Sequence, residues 1–258
     1  MRKLITTLCF LAMTTGLACA QNDWRSGIPW EEPKVVTPGD STTTPPSDAV
    51  ILFDGTNLDA WSHQNWDIED GILTVRPGTG DIATKDKFGS VQLHLEFATP
   101  AEVEGEGQGR GNSGVFFMNH YEVQILDSYD NTTYFDGQCA AIYKQRPPFV
   151  NACKKPGEWQ SYDIIFTRPE LKIEDGKVVE VIRPAFITVL QNGVLVHNHY
   201  DIKGDTYYHI APGYEAHGDK EPIRIQDHNN KMRFRNIWLR EIPDTNVVPT
   251  PTREPYYL

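Results

Sequence analysis

The chain has 258 residues, 39% of them hydrophobic and 11% aromatic, and its 24 basic and 35 acidic side chains give a formal charge of −11. That acidity argues against nucleic acid as a partner. Beyond Ala20 no stretch is long and apolar enough to form a membrane helix.

The chain opens Met1-Arg2-Lys3, continues through an apolar run to Leu17, and reaches the small residues Ala18-Cys19-Ala20. A basic start, a short hydrophobic region and a small-residue cleavage site define a secretory signal peptide over residues 1–20. Gly16-Leu17-Ala18-Cys19 also reads as a lipoprotein box, in which Cys19 would carry a lipid anchor. Either reading exports the chain to the periplasm or the outer surface. Cleavage after Ala20 removes Arg2, Lys3 and no acid, which moves the charge from −11 to −13. It also leaves Cys139 and Cys153 as the only cysteines. In an oxidising compartment these two are expected to form a disulfide, closing a loop of about 14 residues with a contribution of about 3 kcal/mol.

Residues 21–49 are rich in Pro, Thr, Ser and acids, with Thr42-Thr43-Thr44-Pro45-Pro46 at their centre, and read as a linker. Residues 243–258 form a second proline-rich tail. Between them, residues 50–242 suit one domain with a sizeable core. Its apolar residues alternate with period two, as in Ile72–Val75, Val91–Phe97, Ser113–Met118 and Tyr121–Leu126. Further strands are expected at 160–167, 185–190, 194–199, 223–226 and 234–240. Asn192-Gly193 between two such runs signals a type I′ hairpin turn. Many short strands and almost no amphipathic helix predict an all-β, two-sheet antiparallel jelly-roll sandwich. A short helix near Phe88 or in the Cys139 loop is the one departure the pattern allows.

Candidate chemistry concentrates on Tyr121-Glu122-Val123-Gln124-Ile125-Leu126-Asp127. Side chains two apart on a strand share a face, so Glu122 and Gln124 point together while Val123 and Ile125 fill the core. An amide stands where a glycosidase with alternating acids would place a second carboxylate, which disfavours ordinary retaining hydrolysis. His120 and His228, the latter closing Gln226-Asp227-His228, are candidate bases or ligands. Glu122, Gln124 and His228 together could hold one divalent ion. His197 and His199 have HxH spacing without a third ligand and read as a solvated strand end. Tyr121, Tyr129, Tyr134, Tyr143 and Trp159 flank the candidate strand and could stack on a sugar, although Trp159 suits the core better, as do Trp238, Phe116 and Phe117. The glycine-rich run Glu104–Gly111 precedes a strand and offers no helix N-terminus, so it reads as a flexible loop and no nucleotide cofactor is implied.

Ile51-Leu52-Phe53-Asp54-Gly55, Asn112-Ser113-Gly114-Val115, Tyr121–Asp127, Gly157-Glu158-Trp159, Gln191-Asn192-Gly193-Val194 and Gln226-Asp227-His228 with Arg233–Trp238 occur in this order. This set resembles the 3-keto-disaccharide hydrolase family, also described as 3-keto-glucoside-1,2-lyase/3-keto-2-hydroxy-glucal hydratase domains. The resemblance implies a concanavalin A-like jelly roll and an exported enzyme that eliminates across C1–C2 of a 3-keto-glycoside, hydrates the resulting 2-hydroxy-glucal, or does both. A ketone at C3 acidifies the C2 hydrogen, so one base, one acid and an electrophile at the C3 oxygen suffice. On this reading Glu122 or His228 is the base, and Gln124, Arg235 or a divalent ion polarises the ketone. Asp127 or Tyr143 assists the leaving oxygen, with Gln226 and Tyr129 binding substrate. The alternative is a non-catalytic carbohydrate-binding sandwich using the same face.

Overall fold

A computed structural model describes residues 32–41 and 43–244. The leader, Cys9, Cys19 and the tail beyond residue 244 lie outside these residues. No helix among the described residues is long and apolar enough to cross a membrane.

The domain is an antiparallel β-sandwich. Its larger sheet has eight strands: β1 (Val50–Phe53), β2 (Asp67–Glu69), β3 (Ile72–Thr74), β5 (Val91–Ala98), β8 (Gln160–Thr167), β11 (Phe186–Gln191), β12 (Val194–Asp201) and β14 (Arg233–Glu241). They run in the spatial order β12-β11-β8-β5-β14-β3-β2, and β1 also pairs with β14. The smaller sheet has the order β4 (Ile82–Ala83), β13 (Arg224–Ile225), β6 (Ser113–Phe117), β7 (Tyr121–Ile125). A separate hairpin joins β9 (Glu170–Glu174) to β10 (Lys177–Arg183). Only two 3₁₀ turns interrupt this pattern among the described residues, at Gly107–Gly109 and Phe135–Gly137. The second falls just before Cys139, where the sequence allowed a short helix. Phe88 instead bridges to Glu221 in extended conformation.

Period-two alternation explains the core. Leu93, Leu95 and Phe97 of β5 and Tyr162, Ile164 and Phe166 of β8 are buried and face Val115, Phe117, Tyr121, Val123 and Ile125 of the smaller sheet. Phe117 stacks on Phe166 with centroids 4.8 Å apart, and Tyr121 tilts against the same ring at 5.7 Å. Each fully buried aromatic removes enough apolar surface from water to contribute about 2–3 kcal/mol. The Asn192-Gly193 turn has φ of 53° and 77°, as a type I′ turn requires, and fixes the register of β11 against β12.

Three expectations from the sequence do not hold. Cys139 and Cys153 are free thiols. The Cys139 sulfur contacts the Tyr162 hydroxyl at 3.1 Å and accepts from Gln191 Nε2 at 3.4 Å, while Cys153 accepts from Gln160 Nε2 at 3.4 Å. Burial pushes the Cys139 thiol up, while the neighbouring Cys139 draws Cys153 down. Polar partners therefore satisfy each sulfur where a covalent link was expected. His197 is not solvated: it is buried, its Nε2 bonds the Ala140 carbonyl at 2.8 Å, and desolvation lowers its pKa to about 4. His199 sits at φ 48°, which breaks strand alternation, and it stacks on Phe186 at 4.2 Å. The HxH pair is thus divided between a buried and an exposed ring.

Nor does the described part of the linker hang free of the domain. That part folds back on the outer face of the larger sheet: the Thr43 carbonyl accepts from Asn236 Nδ2 at 2.8 Å and Trp238 Nε1 at 3.2 Å, and Asp48 pairs with Arg240 at 2.8 Å. Trp238, stacked on buried His94 at 5.3 Å, lies beneath this strap. Replacing Asp48 by Ala is expected to lower the melting temperature and to increase acrylamide quenching of tryptophan fluorescence. Unchanged quenching would show that the strap does not cover Trp238 in solution.

Candidate active site

A cavity of about 510 Å³ opens on the outward face of the smaller sheet. That is within the usual range of about 300–1,000 Å³ for small-molecule sites. Its floor is β7, whose inward residues Tyr121, Val123 and Ile125 are committed to the core. Glu122 and Gln124 must then face outward, and both line the cavity.

The free edge of β7 is covered. The Gln124 N–H donates to the Ala141 carbonyl at 2.9 Å, the Gln124 carbonyl accepts from Ala140 N at the same distance, and Ile142 bridges Val123. This extended run carries Tyr143 to the cavity wall, where its hydroxyl meets that of Tyr134 at 2.6 Å. From the other sheet, the Tyr162 hydroxyl donates to the Gln124 carbonyl at 2.7 Å and locks β7 against the core. On the opposite flank β13 leads into Gln226 and His228. Asp227 turns away between them and accepts from Gly80 N and Asn229 N at 3.0 and 2.9 Å, which fixes the loop that presents His228.

Glu122 is 5% exposed. Burial outweighs the attraction of Arg224 and pushes its pKa up to about 8, so the carboxyl is mostly protonated at neutral pH. Room for it comes from Gly114 on β6: a Cβ there would sit close against Glu122 Oε1, and 3.1 Å from Phe116. Arg224 is engaged by Asp81 and by Asn119, and its guanidinium lies 3.6 Å over the Phe116 ring.

Hydrogen bonding also fixes which end of Gln124 is free. The Gly137 carbonyl can only accept, so the Gln108 group 2.8 Å from it is the Nε2 donor. Gln108 Oε1 then accepts from Gln124 Nε2 at 3.0 Å, leaving Gln124 Oε1 buried without a partner. Gln124 therefore offers an acceptor, suited to a hydroxyl group or a cation and unable to polarise a ketone as the sequence suggested. Tyr143 and Tyr134 supply hydroxyl donors instead. Desolvation is the leading cause raising the pKa of both, so they stay neutral.

The structure brings Glu122, Gln124, Tyr143, Gln226 and His228 into one cavity. Asp127, Arg235 and Tyr129 lie outside it. Asp127 is buried against Arg110 at 2.6 Å, because the chain turns after Ile125 and ends the strand alternation. Arg235 is on the larger sheet, bonded to Glu96 at 2.7 Å and stacked 4.1 Å from Trp159, which is half-buried rather than in the core. Tyr129 uses its carbonyl to accept from Arg110. His120 pairs with Asp205 behind the cavity and its carbonyl takes the Thr206 N–H at 3.0 Å. Phe116, expected in the core with Phe117, lines the cavity.

Sequence reading missed Gln108, Asn112, Thr206 and Tyr208. Gln108 sits in the glycine-rich run read as flexible, yet it is anchored to Thr133 and Gly137. Tyr208 is 57% exposed at the cavity mouth, and its adjacency to Thr206 and Tyr207 in a polar loop was the available signal.

A model of the 3-keto-alpha-glucoside-1,2-lyase-like domain matches residues 48–240. The chain belongs to that family. A candidate glycosyl hydrolase from Parabacteroides distasonis ATCC 8503 is 46% identical, with a TM-score of 0.77 over 83% of this chain and 93% of that one. Two further candidate glycosyl hydrolases from the same organism share the fold. One is 24% identical, with a TM-score of 0.55 over 75% of this chain and 99% of its own; the other is 17% identical, with 0.55 over 76% and 94%. No curated protein matches the sequence.

Among the described residues no three His, Cys, Asp or Glu side chains cluster as a metal site. The orphaned Gln124 oxygen, the Glu122 carboxyl and His228 line the same cavity and are oxygen and nitrogen donors of the kinds that a divalent ion takes.

Two outcomes follow from the burial of Glu122. Gly114→Ala is expected to displace the carboxyl and lower the denaturation midpoint by about 1–3 kcal/mol in stability. Because the folded pKa is raised, the stability tied to the neutral carboxyl is fully present below 4.5 and is lost as pH rises through about 8. Glu122→Gln should therefore gain stability relative to the unsubstituted protein between about pH 5 and 9. A pH-independent difference in melting temperature would contradict the buried neutral acid.

Proposed function

We propose that this chain is an exported enzyme that cleaves 3-keto-glycosides by elimination across C1–C2 and hydrates the 2-hydroxy-glucal so formed. Family membership and the 46% identical neighbour support a carbohydrate-active role. The observation that carries the finer reading is that, among the described residues, the cavity is lined by a single carboxyl, Glu122, held neutral by burial, and by one imidazole, that of His228. Ordinary retaining or inverting hydrolysis uses two carboxyl groups. Elimination next to a ketone uses one acid and one base.

His228 takes the C2 hydrogen as a proton, and the C2 electron pair becomes the C1–C2 double bond as the C1–O bond breaks. Glu122 gives its proton to the departing oxygen. The Tyr143 and Tyr134 hydroxyls donate to the C3 oxygen as negative charge builds there, and Gln124 Oε1 accepts from a ring hydroxyl. Elimination leaves His228 protonated and Glu122 ionised. Hydration reverses both: Glu122 takes a proton from the water that adds at C1, and His228 returns one to C2. Exposed Tyr208 offers a stacking face at the mouth. A divalent ion held by Glu122, Gln124 and His228 would supply Lewis-acid polarisation of the C3 oxygen when bound.

The deciding experiment incubates the purified protein with 3-keto-glucosides and their unoxidised parents, with and without chelator, and follows aglycone and glucal. Turnover of the keto forms alone is expected. Glu122→Gln and His228→Ala should each lower it by roughly 10²–10⁴-fold, and kcat/KM should fall above about pH 8 as Glu122 loses its proton. Full activity in both variants would sink the assignment, and chelator sensitivity separates ligation by these residues from direct proton transfer. Binding of glycans without turnover of any keto form would instead favour a non-catalytic carbohydrate-binding role.

A further inference from the structure

A second cavity, of about 240 Å³, lies where β6 begins and β7 ends, lined by Arg110, Gly111, Asp127, Asn229, Asn230 and Lys231 together with the Glu102–Glu104 loop. At two places it is one residue from the first cavity: Gly111 lines this one and Asn112 the other, and Asn229 lines this one while His228 faces the other. Between them stands a low wall made of two chain segments. The wall is fixed, since the Asn112 N–H donates to Asn230 Oδ1 at 2.5 Å. At its crest Gly111 has φ 56°, and a Cβ there would lie 3.0–3.1 Å from Thr99 and Asp127. Spreading the segments would break the Asn112–Asn230 bond, so a ligand reaching both cavities must cross the wall.

The polar groups facing the second cavity divide into two kinds. Arg110 and Asp127 neutralise each other, and Arg110 has further bonds to the Tyr129 and Asp130 carbonyls. Asn229, Lys231, Glu102 and Glu104 present amide, ammonium and carboxylate groups that enter no ion pair among the described residues. Among the described residues, donors and acceptors are thus both available, no aromatic face is, and the unpaired charges sum to −1. Such a surface suits a neutral polyol ring and repels an anionic one.

Building on the proposed keto-glycoside chemistry, we propose that the second cavity is the subsite for the departing sugar: a neutral, hydroxylated glycosyl unit whose glycosidic oxygen lies over the Asn112–His228 wall. The keto ring then occupies the first cavity, with the leaving oxygen directed toward the wall and within reach of the Glu122 proton. Substrates with a second hexosyl ring engage both cavities, whereas a 3-keto-glucoside with a small aryl leaving group engages only the first.

The test compares an unsubstituted 3-keto-disaccharide, the same compound with a uronic acid as second unit, and an aryl 3-keto-glucoside. Lys231→Ala is expected to raise KM for the neutral disaccharide about tenfold. It should not alter kcat, or either constant for the aryl compound. The uronic acid substrate should have the higher KM in the unsubstituted protein and should regain affinity in Glu102→Gln/Glu104→Gln. Unchanged KM for the disaccharide, or equal losses on disaccharide and aryl compound, would overturn the subsite. If the unsubstituted protein turns over none of the three, the keto-glycoside reading fails instead. Calorimetric binding of the unoxidised disaccharide to the same variants then reads the subsite directly, with weaker binding expected in Lys231→Ala and equal binding overturning it.

Discussion

A carboxyl group held out of water without a hydrogen-bonding counter-charge is the constraint around which this protein's site is organised. Glu122 is on a strand whose alternate residues are fixed in the core, which sends it to the outer face of the smaller sheet, where its surroundings leave it only 5% exposed. Burial costs the ionised form more than Arg224 returns, and the proton stays on. The missing side chain of Gly114 and the cover over the edge of β7 follow from the same need to enclose this group.

The sandwich makes that enclosure rigid. Aromatic contacts between β8 and the smaller sheet resist shear, and the Tyr162 hydroxyl ties the backbone of Gln124 to the opposite sheet. Gln124 in turn is oriented by Gln108, whose own amide is set by Thr133 and Gly137. A chain of amides thus transmits orientation from a surface loop to a buried oxygen. Such a network avoids reorganisation at the moment of reaction, which is how fixed dipoles lower a barrier.

Polar groups outside the cavity have settled into structural pairs. Arg235 with Glu96, Arg110 with Asp127 and His120 with Asp205 each fix a loop or a sheet face. The strap over Trp238 shows the same economy, closing an aromatic surface on the far side of the larger sheet.

The sequence by itself determined nine of the fourteen strands among the described residues, because period-two alternation reports which side of a strand is dry; the short β1, β2 and β4 and the largely exposed β9–β10 hairpin carry too little of that alternation to be read. It determined the Asn192-Gly193 hairpin, because few residue pairs accept two positive φ values in succession. It also placed Glu122 and Gln124 on one outward face, since Val123 and Ile125 could only be core. What only the tertiary structure decided was which distant residues meet that face. Asp127 and Arg235 were equally plausible neighbours by spacing, but one lies past the strand end and the other on the opposite sheet. Gln108, Tyr134 and Tyr208 reach the cavity through loops whose closure depends on contacts far along the chain. The protonation of Glu122 was likewise beyond the sequence, because a carboxyl's pKa is set by the water it loses, and that loss exists only once both sheets and the covering loop have closed around it.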